Sequence, residues 1–432
     1  MIGACRFDSS GVPPSTAPDA AVDAPADLPG DTGAAPDLPV DTGPAPDLPG
    51  DTGAADLSVD TGPTPDLSVD APIAPDATTK PCTTVCQGQT PVCDVATGTC
   101  RACASHAECP AGVCATDGSC PAAGLIAHVD GSTCATSQKT GAAAEPYCLI
   151  AEAVGQNRLY ILVKQGTYAE DLALDSVTHE IYGEPGAVIQ PSACDKLEIK
   201  GASDVLLQGF TIAGNVLVSA GSATLAQNVI GPSSCVGVAS TATVTLRRNL
   251  VLKHTLGGMD LGGTYQVENN FIVQNGTTAG NFGGVKLDTA TGVFINNTVV
   301  DNTCKTKGPA EAGGVRCEVK PTTLVNNIFW GNTFNKTASA LDDRQYRTDR
   351  CVAEHAFEEL KPGATSSGTG NISAAAPGFT GTTPSTSAAD YHILSSSPAR
   401  NGGASGGAPV EDYDGDPRSD GQIDIGADEW SL

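Results

Sequence analysis

From residue 224 onward the apolar positions of this chain come in short, largely β-branched runs, and the same polar phrase breaks each run. The phrase reads Gln227-Asn228-Val229-Ile230, Arg248-Asn249-Leu250-Val251, Asn269-Asn270-Phe271-Ile272, Asn296-Asn297-Thr298-Val299 and Asn326-Asn327-Ile328-Phe329. Its second position falls at 228, 249, 270, 297 and 327, so the steps are 21, 21, 27 and 30 residues. None of the runs has the roughly 10 to 12 residues of 3.6-period pattern that a helix needs, so the repeating unit is made of strands. Sandwich strands recur about every 8 to 12 residues, and these intervals are roughly twice that or more, which is the mark of a solenoid. Asparagine tolerates the left-handed backbone of a tight corner, and its amide can bond the same amide one coil above or below. The phrase therefore predicts a stacked asparagine ladder beside a stacked aliphatic core.

A second pattern runs beside the first: Gly257-Gly258-Met259-Asp260-Leu261, Gly283-Gly284-Val285-Lys286-Leu287-Asp288 and Gly313-Gly314-Val315-Arg316-Cys317-Glu318. Strand alternation sends Met259, Leu261, Val285, Leu287, Val315 and Cys317 inward. It leaves Asp260, Lys286 and Arg316 stacked on the outer face, with Asp288 and Glu318 two residues further along.

Charge and cysteine content set the surroundings. The 432 residues carry 23 basic and 49 acidic side chains, a net −26, which disfavours nucleic acid as a partner. Sixteen cysteines point to an oxidising compartment. No run of 18 apolar residues exists to span a membrane. Residues 6–81 form a Pro/Ala/Asp/Gly tract in which the stretch from Asp27 to Gly33 returns in variants from Asp37, Asp47, Asp56 and Asp66. Its 14 aspartates oppose only Arg6 and Lys80, so it is expected to be a disordered, self-repelling tether. Residues 82–121 hold Cys82, Cys86, Cys93, Cys100, Cys103, Cys109, Cys114 and Cys120 with few large apolar residues, the signature of a small disulfide-stapled module. Cys100 and Cys103 also have zinc-knuckle spacing, but disulfides suit an exported chain better.

Residues 122–432 form the solenoid. The helical piece beginning at Ala151, followed by Tyr160-Ile161-Leu162-Val163 and the Gly166-Thr167-Tyr168 turn, resembles the opening of pectin-lyase-like proteins. That resemblance implies an all-β, right-handed parallel β-helix whose first coil is covered by a short helical cap. Residues 389–430 resemble the choice-of-anchor Q module of bacterial surface proteins. The matching residues are Asp390-Tyr391-His392-Ile393-Leu394, Ser397-Pro398-Ala399, Asp414-Gly415-Asp416-Pro417-Arg418 and Asp424-Ile425-Gly426-Ala427-Asp428-Glu429-Trp430, and the resemblance implies a surface location. Met1-Ile2-Gly3-Ala4-Cys5 resembles a bacterial lipobox, which makes Cys5 the candidate lipidation site and a lipid anchor the expected membrane attachment.

Two kinds of function fit. In the first, a monomeric surface protein presents its outer ladders to a polysaccharide or to another surface protein. In the second, Lys286 or Arg316 acts as the base of a uronate-polymer lyase, with Asp260, Asp288 and Glu318 holding Ca²⁺ against the substrate carboxylate. Ion pairing alone also accounts for these charges. Asp412, Asp414 and Asp416 resemble half of a calcium loop, though Pro417 and Ile423 stand where its glycine and bidentate glutamate belong. The six histidines show no metal spacing, and Asp342-Asp343 is the one adjacent aspartate pair, inside an insertion that also carries Arg344, Arg347 and Arg350. Cys134 and Cys148 are expected to bridge. Cys317, inward by alternation, is expected to be a free thiol and Cys304 to pair with Cys351.

Overall fold

The computed structural model describes residue 80 and residues 82–134, 138–278, 280–304, 312–334, 345–360, 366–418 and 421–431. Cys5, nearly all of the 6–81 tract and the Asp342-Asp343-Arg344 stretch lie outside the described residues. Within them, three long parallel sheets of ten, nine and seven strands wrap one core, and every sheet runs in coil order. The chain is a parallel β-helix. Each strand pairs with its counterpart in the next coil, as where Val285, Lys286 and Leu287 lie opposite Val315, Arg316 and Cys317.

The core follows from this register. Ile189, Ile212, Ile230, Val251, Ile272, Val299 and Phe329 lie one above another across successive coils of the nine-stranded sheet, all buried. In the seven-stranded sheet Met259, Val285 and Val315 form one inward stack, and Leu261, Leu287 and Cys317 form another. Side chains of equal register stack every ~4.8 Å, so apolar residues build continuous columns along the axis.

The asparagine phrase divides its work between its two positions. The first residue, Gln227, Arg248, Asn269, Asn296 or Asn326, takes the left-handed conformation with φ between 51° and 59°. The second residue is buried and builds the ladder. Each of Asn228, Asn249, Asn270 and Asn297 sends its main-chain N–H and its Nδ2 to the Oδ1 of the next asparagine, at 2.8–3.2 Å. Each Nδ2 also bonds a carbonyl of the preceding coil, such as Leu246 O for Asn270 at 2.9 Å.

A second ladder stands five residues further on, through His254, Asn275, Asn302 and Asn332 and ending on Gln345. Its left-handed residues are Lys253, Gln274, Asp301 and Gly331. The glycine pairs lie beside this second ladder, where the chain enters the seven-stranded sheet: a Cβ on Gly284 would lie 2.7 Å from Gly314 O, closer than real contacts allow.

Seven disulfides are present among the described residues. Cys82–Cys93, Cys86–Cys100, Cys103–Cys114 and Cys109–Cys120 staple the small module, and none of these thiols is left for zinc. Cys134–Cys148 closes beside the cap, and Cys194–Cys235 ties two coils across the one between them. Cys317 is bonded to Cys351, contrary to both expectations for these residues, and buried Cys304 takes part in none of the seven. The cause lies in the closed section of the solenoid: Cys317 and Cys351 both point inward from different sheets, so their inward faces meet in one core.

Two modules cover the outside. The cap Ile150–Val154 buries Ile150 and Ala153, and Glu170 accepts hydrogen bonds from the main-chain N–H groups of Ile150 and Ala151 at its N-terminus. The disulfide module lies on the ten-stranded sheet, where Val113 and Ala115 pack among Tyr160, Leu162, Tyr182, Leu206 and Ala226. On the nine-stranded sheet the outward residues are apolar as well. Leu250, Leu252, Phe271, Val273, Val300, Ile328 and Phe357 are covered by Tyr391, Ile393, Ala399, Ile425 and Ala427 of the C-terminal segment.

The left-handed residues of the first ladder hold that segment in place. Arg248 Nε donates to Tyr413 O at 2.7 Å and Asn269 Nδ2 to Glu411 O at 2.6 Å. Asn296 Nδ2 donates to Asp424 O at 3.0 Å, and Asn326 exchanges two bonds with Ala404 at 2.8 Å each. Arg418, buried, spans Glu429 at 2.6 Å and Asn269 at 3.1 Å.

Two outcomes follow from these contacts. Asn270→Ala orphans the N–H of Asn249 and removes the Nδ2 donor to Leu246 O inside the core, so urea unfolding is expected to show a loss of about 3 kcal/mol, at roughly 1–3 kcal/mol per unsatisfied group. Asp301, at a corner under Tyr391, has its carboxyl pushed up to about 6 by burial, with Glu359 adding to the rise. A carboxyl raised above its unfolded value of ~3.9 favours the folded state only when protonated, so it destabilises increasingly as pH rises from ~4 to ~6. Asp301→Asn should therefore raise stability by about 1 kcal/mol at pH 7.5, and the gain should vanish near pH 4 when denaturation curves are compared.

Candidate functional site

The outward charges of the seven-stranded sheet stack as alternation predicts. Lys286 Nζ lies 3.0 Å from Asp260 Oδ1 and 2.8 Å from Asp288 Oδ2, and the three side chains are half-buried. Arg316 pairs with Glu318, which also meets Arg347 at 3.4 Å, and Arg347 turns to Asp349 at 2.7 Å. Asp260, Lys286 and Arg316 share one register row with Asp288 and Glu318 two residues further along, and each basic group is neutralised by a neighbouring carboxylate.

This arrangement does not suit proton abstraction. Burial works against the Lys286 ammonium, but its bonds to Asp288 and Asp260 outweigh that and hold its pKa above the ordinary lysine value. A base that takes a proton at neutral pH needs the opposite shift. Burial raises the Asp260 carboxyl against the pull of Lys286, which disfavours the charged form that Ca²⁺ would need. Among the described residues these groups pair with one another on an outer face, and the two grooves described below do not include them.

Concave surface lies instead on the ten-stranded sheet. A groove of about 600 Å³ runs between the disulfide module and the C-terminal segment. His106 and Thr116 stand on one wall, Val410 and Glu411 on the other, and Gln208, Arg247 and Glu268 form the floor. A second hollow of about 400 Å³ continues along the same face over Glu180, Thr224, Thr245 and Gln266. The wall is fixed by Thr116, whose N–H and hydroxyl donate to Glu180 at 3.3 and 2.9 Å, and by His106 set edge-on to Tyr182 at 4.7 Å.

Arg247 lines both hollows. Its register partner is Glu268, yet Glu268 is taken by Gln266 Nε2 at 2.9 Å. Among the described residues the Arg247 guanidinium makes no hydrogen bond and no ion pair. Alternation marks Arg247 as outward, but the groove comes from folding the disulfide module back onto the sheet, and no local pattern announces that.

The supposed calcium half-loop is a hydrogen-bonded turn. Asp412 is buried, with Oδ1 accepting the N–H groups of Asp414, Gly415 and Asp416 at 2.9 Å and Oδ2 that of Glu429 at 2.9 Å. Asp416 receives the Ser431 hydroxyl at 3.3 Å, while Asp414 faces His392 at 3.2 Å, so the three carboxylates do not converge. Ser233 Oγ lies 2.7 Å from His254 Nδ1, a spacing found in nucleophilic pairs. The His254 ring is fully buried against Ile230 O, burial holds its pKa down at about 4, and it serves as the first rung of the second ladder.

Replacing Lys286 by methionine leaves Asp260 and Asp288 facing each other. The expected cost is about 1 kcal/mol in thermal unfolding, shrinking at high salt because the group is partly solvated.

No protein-family model matches this chain, and no curated protein matches it.

Proposed function

We propose that this is an exported surface protein, attached through a lipid on Cys5, that binds an extended glycan along the ten-stranded sheet. The disulfides belong to an oxidising compartment. The C-terminal segment 389–430 takes the part of a choice-of-anchor Q module, and the acidic tract 6–81 sets the β-helix at a distance from the membrane. Ca²⁺ has no necessary place in this reading.

The observation that carries the binding function is the groove and its unpaired Arg247. Its floor offers amide, hydroxyl, carboxylate and guanidinium groups on neighbouring coils: Gln208, Thr224, Thr245, Arg247, Gln266 and Glu268. Strands repeat every ~4.8 Å, so a polymer laid along the axis meets a fresh set of polar groups at each coil. Sugar hydroxyls need such paired donors and acceptors, and a carboxylate-bearing unit would add a charge-assisted bond to Arg247.

The test is a calorimetric titration of the full chain with neutral and uronate polysaccharides, with and without Ca²⁺, while absorbance reports any unsaturated product. Binding without product formation is expected, and Arg247→Ala should weaken it at least tenfold, the scale of one lost charge-assisted bond. Binding of a protein in place of any glycan, or release of unsaturated sugars, would overturn this assignment.

A further inference from the structure

The C-terminal segment brings together a histidine and two carboxylates that stand far apart in the chain. His392 follows the short 3₁₀ turn Ala388–Tyr391, Asp414 lies in the tight turn built on Asp412, and Asp428 lies just before the end of the described chain. One ligand atom from each lies within 4.8 Å of the other two. His392 Nε2 is shielded from water and makes no hydrogen bond, with an Asp414 oxygen 3.2 Å away. Asp428 is nine-tenths buried; its Oδ2 accepts the Ile393 N–H at 2.7 Å, and its Oδ1 lies on the histidine side, 3.8 Å from Nδ1.

The positions are held from behind. The His392 ring stacks on Phe271 of the β-helix at 5.8 Å and 23°, and Tyr413, itself edge-on to Phe271 at 4.6 Å, lies 6.4 Å from it. Four main-chain amides anchor Asp412 and thereby set the turn that carries Asp414. Asp414 remains partly exposed, which leaves a path for an ion.

We propose that His392, Asp414 and Asp428 bind one divalent cation of borderline softness, Zn²⁺ in the first instance, with water completing its shell. A tetrahedral ion with bonds of ~2.1 Å holds its ligand atoms about 3.4 Å apart, close to the 3.2 Å already present between His392 and Asp414. An imidazole nitrogen with two carboxylates suits zinc better than calcium, which takes six to eight oxygens. A buried carboxylate such as Asp428, with a second carboxylate close by, gains from a cation that neutralises both. The ion would pin three turns of the C-terminal segment over Phe271. This proposal stands apart from the groove, which lies on another sheet.

The test uses the full chain, stripped with a chelator and dialysed, titrated calorimetrically with ZnCl₂ and followed by thermal unfolding. One Zn²⁺ per chain is expected, with a rise in Tm of about 5 °C at a hundredfold excess over Kd. Ca²⁺ at the same concentration should leave Tm unchanged. Asp414→Asn and His392→Gln should each lose at least tenfold in affinity; if His392→Gln fails to fold, the partly exposed Asp414 decides. Absence of stoichiometric binding, undiminished binding by the folded Asp414→Asn protein, or a Ca²⁺ response in place of a Zn²⁺ response would each overturn the site.

Discussion

Corners, more than strands, are the difficulty of a β-helix, because each coil must turn three times while its main-chain groups stay buried. Here two of the three corners solve this with asparagine. An amide side chain donates and accepts at once, so the same residue can receive from one coil and give to the next without a break. A buried N–H without a partner costs several times what one paired bond contributes, which leaves the corner little freedom in residue type. Everything outside the core depends on this. Because the second position of the phrase is locked inward, the first position must turn outward in the left-handed conformation, and there Arg248, Asn269, Asn296 and Asn326 hold the C-terminal segment.

The three faces have separate characters. One is apolar and covered by the C-terminal segment, one carries a self-neutralising ladder of charges, and one bears polar groups beneath a groove. The chemistry that first drew attention, around Lys286 and Arg316, belongs to the second face and is accounted for by pairing. The groove owes its walls to the disulfide module and the C-terminal segment, which stand on either side of the sheet residues that floor it.

Local pattern carried the repeat, the inward and outward assignment of each strand and the identity of the small module, because all three are set by neighbours in sequence. It even contained the second ladder. Asn275, Asn302 and Asn332 each follow an Asn-Asn pair by five residues, and His254 stands at the same offset from Asn249. Legibility ended where partners are remote. Alternation places Cys317 inside but says nothing of its partner Cys351, since in a closed section an inward residue has inward neighbours from another sheet. His392 shows no metal spacing along the chain, yet folding sets it between Asp414 and Asp428. The outward apolar residues Leu250, Phe271 and Ile328 could have announced a covered face, as triplets that are hydrophobic throughout instead of alternating.

A bare solenoid behaves as a row in which each coil feels only the coils beside it, so it can fray from an end one rung at a time. The C-terminal segment changes that logic. It touches Arg248, Asn269, Asn296 and Asn326 on four successive coils, so a rung at the far end cannot loosen without disturbing a strap that also grips the middle. Stability that would have been additive along the axis becomes shared, and a structure built by repetition acquires the all-or-none character of a single globule.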